Sequence, residues 1–107
     1  MRVLLDENLP VGLASLLEGR HHVATVAGLR WQGLSNGELL TRMEGSFDVL
    51  VTMDRGLRYQ QVLTGRTLAV LGLHARSNRM PDLREMVPEV LDALDRVQPG
   101  EFQTLGV

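Results

Sequence analysis

Short apolar runs and helical stripes alternate along the chain from its first residues. Arg2 to Leu5 reads as a buried strand, and Leu9, Leu13, Leu16 and Leu17 recur behind it at the period of an amphipathic helix. Asn8 is placed to cap that helix, Pro10 suits its first turn, where a missing N–H has no intrahelical partner, and Gly19 ends it. The run from His22 to Val26 predicts a second strand, and Ala27 to Leu34, with Gly28, Trp31 and Gly33, predicts a loop. Ser35-Asn36-Gly37-Glu38 then opens a helix carrying Leu39, Leu40 and Met43.

Phe47 to Thr52 is the most hydrophobic run and predicts a central strand buried on both faces. A short helical segment is expected from Arg55 to Leu63 and a fourth strand from Thr67 to Leu73. Leu83, Met86, Val87, Val90, Leu91, Leu94 and Val97 form one apolar stripe at three- and four-residue spacing. Pro88 interrupts it, so a leading turn from Pro81 and a main helix beginning near Pro88 are expected, with Gly100 as terminator and Phe102 to Val107 as a last edge strand. Strands alternating with helices imply right-handed crossovers and a mainly parallel sheet of four to five strands between two helical layers, an α/β sandwich. At 107 residues, 44% hydrophobic and 22% charged, the chain reads as a single domain over residues 1–107, too apolar for disorder.

Absences narrow the chemistry. Without cysteine there is no disulfide, no thiolate nucleophile and no Cys-based zinc site, and without lysine no chemistry that requires a lysine. No window approaches the roughly 20 apolar residues of a membrane span and the start MRVLLDE lacks a leader pattern, so a cytoplasmic protein with no membrane partner is expected. The net charge of -2 hides a strong segregation. Residues 1–54 hold seven acids and four arginines, residues 55–81 five arginines and no acid, and residues 82–107 six acids and two arginines.

Ligands of open α/β sheets sit beyond the C-terminal strand ends, where the strand order reverses. Asp6 and Glu7 follow the first strand, Asp54 follows the third, and Glu38 lies in the first turn of a helix. Carboxylates gathered without lysine repel one another unless a divalent cation neutralises them, and an all-oxygen set suits Mg2+ or Mn2+. Such a site polarises a phosphodiester and ionises a water for in-line attack. Each acid has a plainer reading: Ser35 and Glu38 form a capping box, and Asp54 is placed to cap the segment that starts at Arg55. Asp6 is harder to explain structurally, because a carboxylate at a buried strand end is costly to desolvate without a partner.

The opening VLLDENLP, the central NGELL, the run DVLVTMDRGL and the later ARSNRMPDLREMVPEVLDALDRVQPGEF together resemble the small stand-alone PIN-like domains, relatives of the PIN-type ribonucleases. That resemblance covers nearly the whole chain. It implies a Rossmann-like, three-layer PIN-like fold and a Mg2+- or Mn2+-dependent endoribonuclease, often the toxin of a toxin–antitoxin pair. The family's acids fall on Asp6, Glu38 and Asp54 as catalytic residues and metal ligands. The partners to be expected are RNA, a small antitoxin protein and further copies of the chain in a homo-oligomer. One departure stands out: PIN-type sequences commonly read Thr-x-Asp-x-Asp where this chain has Gly56 at the second acid, and Asn36 replaces an acid that some relatives carry. A thinner ligand set weakens a second metal position and keeps a catalytically silent binding module open as the alternative.

Arg55, beside Asp54, and Arg76 are candidates for contacting RNA phosphates from the basic block Arg55, Arg58, Arg66, Arg76 and Arg79, which otherwise reads as solvated surface. Asn8, Thr52 and Asn78 are the polar candidates near the acids, with turn building the alternative for Asn78. His21, His22 and His74 make a poor zinc constellation and read as structural. A signalling receiver also places acids after strands one and three, but it needs a lysine to hold the phosphoryl group.

Overall fold

Side by side in the computed structural model, which describes residues 1–57 and 62–106, lie β1 (Arg2–Leu5), β2 (His22–Thr25), β3 (Val49–Thr52), β4 (Ala69–Leu73) and β5 (Phe102–Leu105). They form one all-parallel sheet in the order β2-β1-β3-β4-β5. Side chains alternate faces along each strand. Val3, Leu5, Val49, Val51 and Leu71 join one hydrophobic core, and Leu4, Leu50 and Val70 join the other. Every residue of β3 and β4 is buried, the two-sided cover that their apolar runs demand.

The first core is closed by α1 (Leu13–Leu17), α4 (Met80–Arg84) and α5 (Val87–Leu94), through Leu13, Leu17, Leu83, Val90 and Leu94. The second is closed by α2 (Val26–Leu29) and α3 (Asn36–Met43), through Val26, Leu39, Leu40 and Met43. This is the three-layer, Rossmann-like α/β arrangement. Pro81 and Pro88 sit in the first turns of α4 and α5, where proline leaves no donor unmade. No helix among the described residues is long and apolar enough to cross a membrane.

Several local expectations are corrected. Asn8 does not cap α1; the N-cap is Gly12, with no side-chain cap bond, and the helix starts three residues after Pro10. The second strand ends at Thr25, and part of the expected loop is α2, because Thr25 Oγ1 accepts from the Gly28 N–H at 2.9 Å and caps it. A Cβ on Gly28 would meet that oxygen at 2.8 Å, so a side chain there would require the Thr25 hydroxyl to shift. β3 and β4 each start two residues later than expected, although the Asp48 N–H already donates to Arg2 O and its carbonyl accepts from Ala69 N–H. β5 stops at Leu105 before Gly106, whose φ is 81°. Residues 58–61 of the expected helical segment, and Val107, lie outside the described residues.

Crossover hand is also not uniform. The β1–β2 connection runs in one direction across the sheet with α1 on the first face, and the β2–β3 connection runs in the opposite direction with α2 and α3 on the second face. Reversing both direction and face preserves the hand. The β4–β5 connection runs in the same direction as β2–β3 but carries α4 and α5 on the first face, so its hand is opposite. Packing of α4 and α5 against α1 takes precedence here over the general preference for one hand.

Candidate functional site

From the interior of the sheet the chain leaves β1 toward β2 and leaves β3 toward β4, so the strand order reverses between β1 and β3. That is where an open α/β sheet leaves a crevice at its C-terminal edge. Leu5 pairs with Val51, and the Asp6 N–H extends the ladder by donating to Val51 O at 2.9 Å. Asp6 therefore stands one step beyond β1 with the Thr52 side chain beside it.

The Thr52 hydroxyl is the hub. It donates to Asp6 Oδ2 at 2.7 Å and accepts from the Asp54 N–H at 3.0 Å and from Asn8 Nδ2 at 3.2 Å. Asp6 Oδ1 accepts from the Glu7 N–H at 2.8 Å. Asp54 is held by the Gly56 N–H on Oδ1 and by Asn36 Nδ2 on Oδ2, each at 2.9 Å. Asn8 Oδ1 accepts from the Met53 N–H at 3.1 Å, and Asn8 O from Asn78 Nδ2 at 3.3 Å. Segments following β1, β3 and β4 and the first turn of α3 thus meet in one polar network.

No ion pair among the described residues offsets its charge. Asp6 is 6% exposed. Burial pushes its carboxyl above the ordinary aspartate range, the Thr52 and Glu7 hydrogen bonds pull it back, and the charges of Glu7 and Asp54 push it up again. Among the described residues the ion pairs are Arg2–Asp48, Arg20–Asp95, Arg66–Glu44 and Arg96–Asp92, none of which includes Asp6 or Asp54. Among the described residues each oxygen of the two carboxylates accepts a hydrogen bond, and a carboxylate oxygen has two lone pairs to offer. An anionic, all-oxygen donor pair of this kind fits a hard divalent cation.

Glu38 is not gathered with them. It is exposed and closes the capping box of α3, accepting from Ser35 Oγ at 2.8 Å and from the Ser35 N–H at 3.4 Å, while its own N–H donates to Ser35 Oγ. Among the described residues no three His, Asp or Glu side chains converge on one metal position. Thr52 has no exposed surface, so its hydroxyl meets protein groups. Arg55, Arg76 and Asn78 are exposed just beyond β3 and β4.

Asn36, noted in the sequence only as standing in place of an acid, is a partner of Asp54 that sequence reasoning did not foresee. It follows the N-cap Ser35, so the geometry of a helix start turns its side chain off the end of α3 toward Asp54; the capping box was the available signal. At the opposite, N-terminal edge of the sheet a cavity of about 690 Å³ is lined by Arg2, Glu18, His21, His22 and Phe47, away from the two aspartates. His21 is buried there with neither ring nitrogen bonded among the described residues. Comparison of the chain with family models, curated proteins and solved structures finds no match.

Proposed function

We propose that the protein is a cytoplasmic, divalent-metal-dependent endoribonuclease of the PIN-like type, acting as the toxin of a pair with a small antitoxin protein. The observation that carries the reading is the buried Asp6 carboxylate joined to Asp54 through Thr52 at the sheet's switch point, with no cation paired to either acid among the described residues. Asp6 and Asp54 are the residues that would hold Mg2+ or Mn2+. When bound, the metal would supply polarisation of a phosphodiester and acidification of a water at neutral pH. Glu38, committed to the cap of α3, is the weakest of the three acids in that role. Arg55 and Arg76, exposed after β3 and β4, supply guanidinium groups suited to phosphate oxygens along an RNA backbone.

The test is cleavage of a mixed RNA pool at increasing Mn2+, with calorimetric metal uptake measured alongside. Wild type should cleave and take up metal at millimolar concentration, and Asp6→Asn and Asp54→Asn should lose both. Metal uptake without cleavage would favour a catalytically silent binding module, the reading that the glycine at position 56 supports. Cleavage that survives Asp6→Asn would end the assignment.

A further inference from the structure

Asn8 stands beside the chemistry just proposed, and its carboxamide bonds the hub of the network, Thr52, and the neighbouring Met53 N–H. Its orientation is fixed by a donor that can only donate: the Met53 N–H meets Oδ1 at 3.1 Å, so Nδ2 faces Thr52 Oγ1 at 3.2 Å. Thr52 Oγ1 also receives the Asp54 N–H at 3.0 Å. Both lone pairs of the hydroxyl are then occupied, and its single proton is directed to Asp6 Oδ2 at 2.7 Å. The backbone carbonyl of Asn8 holds Asn78 from the segment after β4.

We propose that Asn8 is a positioning residue, which acts through Thr52 and the Met53 N–H to lock the segment after β1 to the segment after β3 and to direct the Thr52 proton onto Asp6. The proposal rests on the divalent-cation reading of Asp6 and Asp54. With Oδ1 turned to Met53 and Nδ2 to Thr52, the Asn8 side chain acts on the two carboxylates through protein groups. Its effect is on how well the two carboxylates are presented. Outer partners that orient metal ligands typically change affinity about 10–100-fold when removed.

The experiment compares wild type, Asn8→Ala, Thr52→Val and the double variant by Mn2+ calorimetry, RNA cleavage kinetics and amide hydrogen exchange of the metal-free protein. Asn8→Ala should weaken Mn2+ binding about 10–100-fold and should add little to Thr52→Val, because both act on one path. Cleavage should lose kcat at unchanged KM. Exchange at Met53, and through Thr52 at Asp54, should quicken about tenfold, with Val49, Leu50 and Val51 unchanged. Additive losses in the double variant, or a raised KM at unchanged kcat, would overturn the positioning role and make Asn8 an RNA contact. If wild type takes up no Mn2+, the metal reading fails and exchange still decides: unaltered rates at Met53 and Asp54 in Asn8→Ala refute the lock, and acceleration confined to them supports it.

Discussion

Replacing Thr52 by valine preserves shape and removes only the hydroxyl, so it isolates the hub of the network. Thr52 is completely buried, and the change strips Asp6 Oδ2, the Asp54 N–H and Asn8 Nδ2 of a partner at once. The bond to the ionised Asp6 is the strongest of the three, worth about 1.5–3 kcal/mol. Asn8 and Asp54 are only half-buried and recover part of their loss from water, leaving about 0.5–1 kcal/mol each. Burying a methyl group in place of the hydroxyl returns about 1 kcal/mol. The net expectation is a loss of about 2–3 kcal/mol, a fall in Tm of about 10 °C for a domain of this size. Urea and thermal unfolding of the metal-free protein at neutral pH measure it, with Thr52→Ser, which keeps the hydroxyl, as the comparison. The penalty should shrink in acid, where Asp6 takes up its proton and the bond loses its ionic character. A Thr52→Val protein within about 0.5 kcal/mol of wild type, or no more affected than Thr52→Ser, refutes the network as a source of stability.

Burial holds the His21 imidazole below its usual value of 6.5, so the unfolded chain binds the proton first. Stability present above pH 6.5 is therefore lost as pH falls toward the folded value, and His21→Phe, followed by unfolding across that range, should flatten the decline. Asp6 has the opposite shift: its folded pKa lies above 3.8, and it must ionise to hold metal. Mn2+ affinity by calorimetry should climb by up to about tenfold per pH unit as pH rises from 3.8 through the folded Asp6 value, then level off. Gly56→Asp should tighten Mn2+ binding by adding carboxylate oxygens beside Asp54, and an unchanged isotherm would show that position 56 does not face the metal.

Strand positions and the two-sided burial of the sheet were legible because apolar runs such as Val49–Thr52 leave no polar face to misassign. The stripe from Leu83 to Val97 likewise named Leu83, Val90 and Leu94, through which α4 and α5 close the first core. Proximity of Asp6 and Asp54 required only that β1 and β3 be neighbours. The four-residue α2 was illegible, since so short a helix shows no period and depends on one side-chain cap from Thr25 to Gly28. Asn8 satisfies the local rule for an N-cap, but tertiary partners 44 and 45 residues away outbid that role. The hand of the β4–β5 crossover depends on which face α4 and α5 choose, and with apolar cores on both faces composition does not decide it.

The central claim, a divalent-cation site at Asp6 and Asp54, is tested most directly by paramagnetic broadening of the wild-type NMR spectrum with substoichiometric Mn2+. Asp6, Glu7, Asn8, Met53, Asp54 and Asn36 should lose intensity first, and Asp54→Asn should abolish the effect. Broadening centred instead on Glu18, His21 and His22 at the opposite edge of the sheet, or none at millimolar Mn2+, would contradict it.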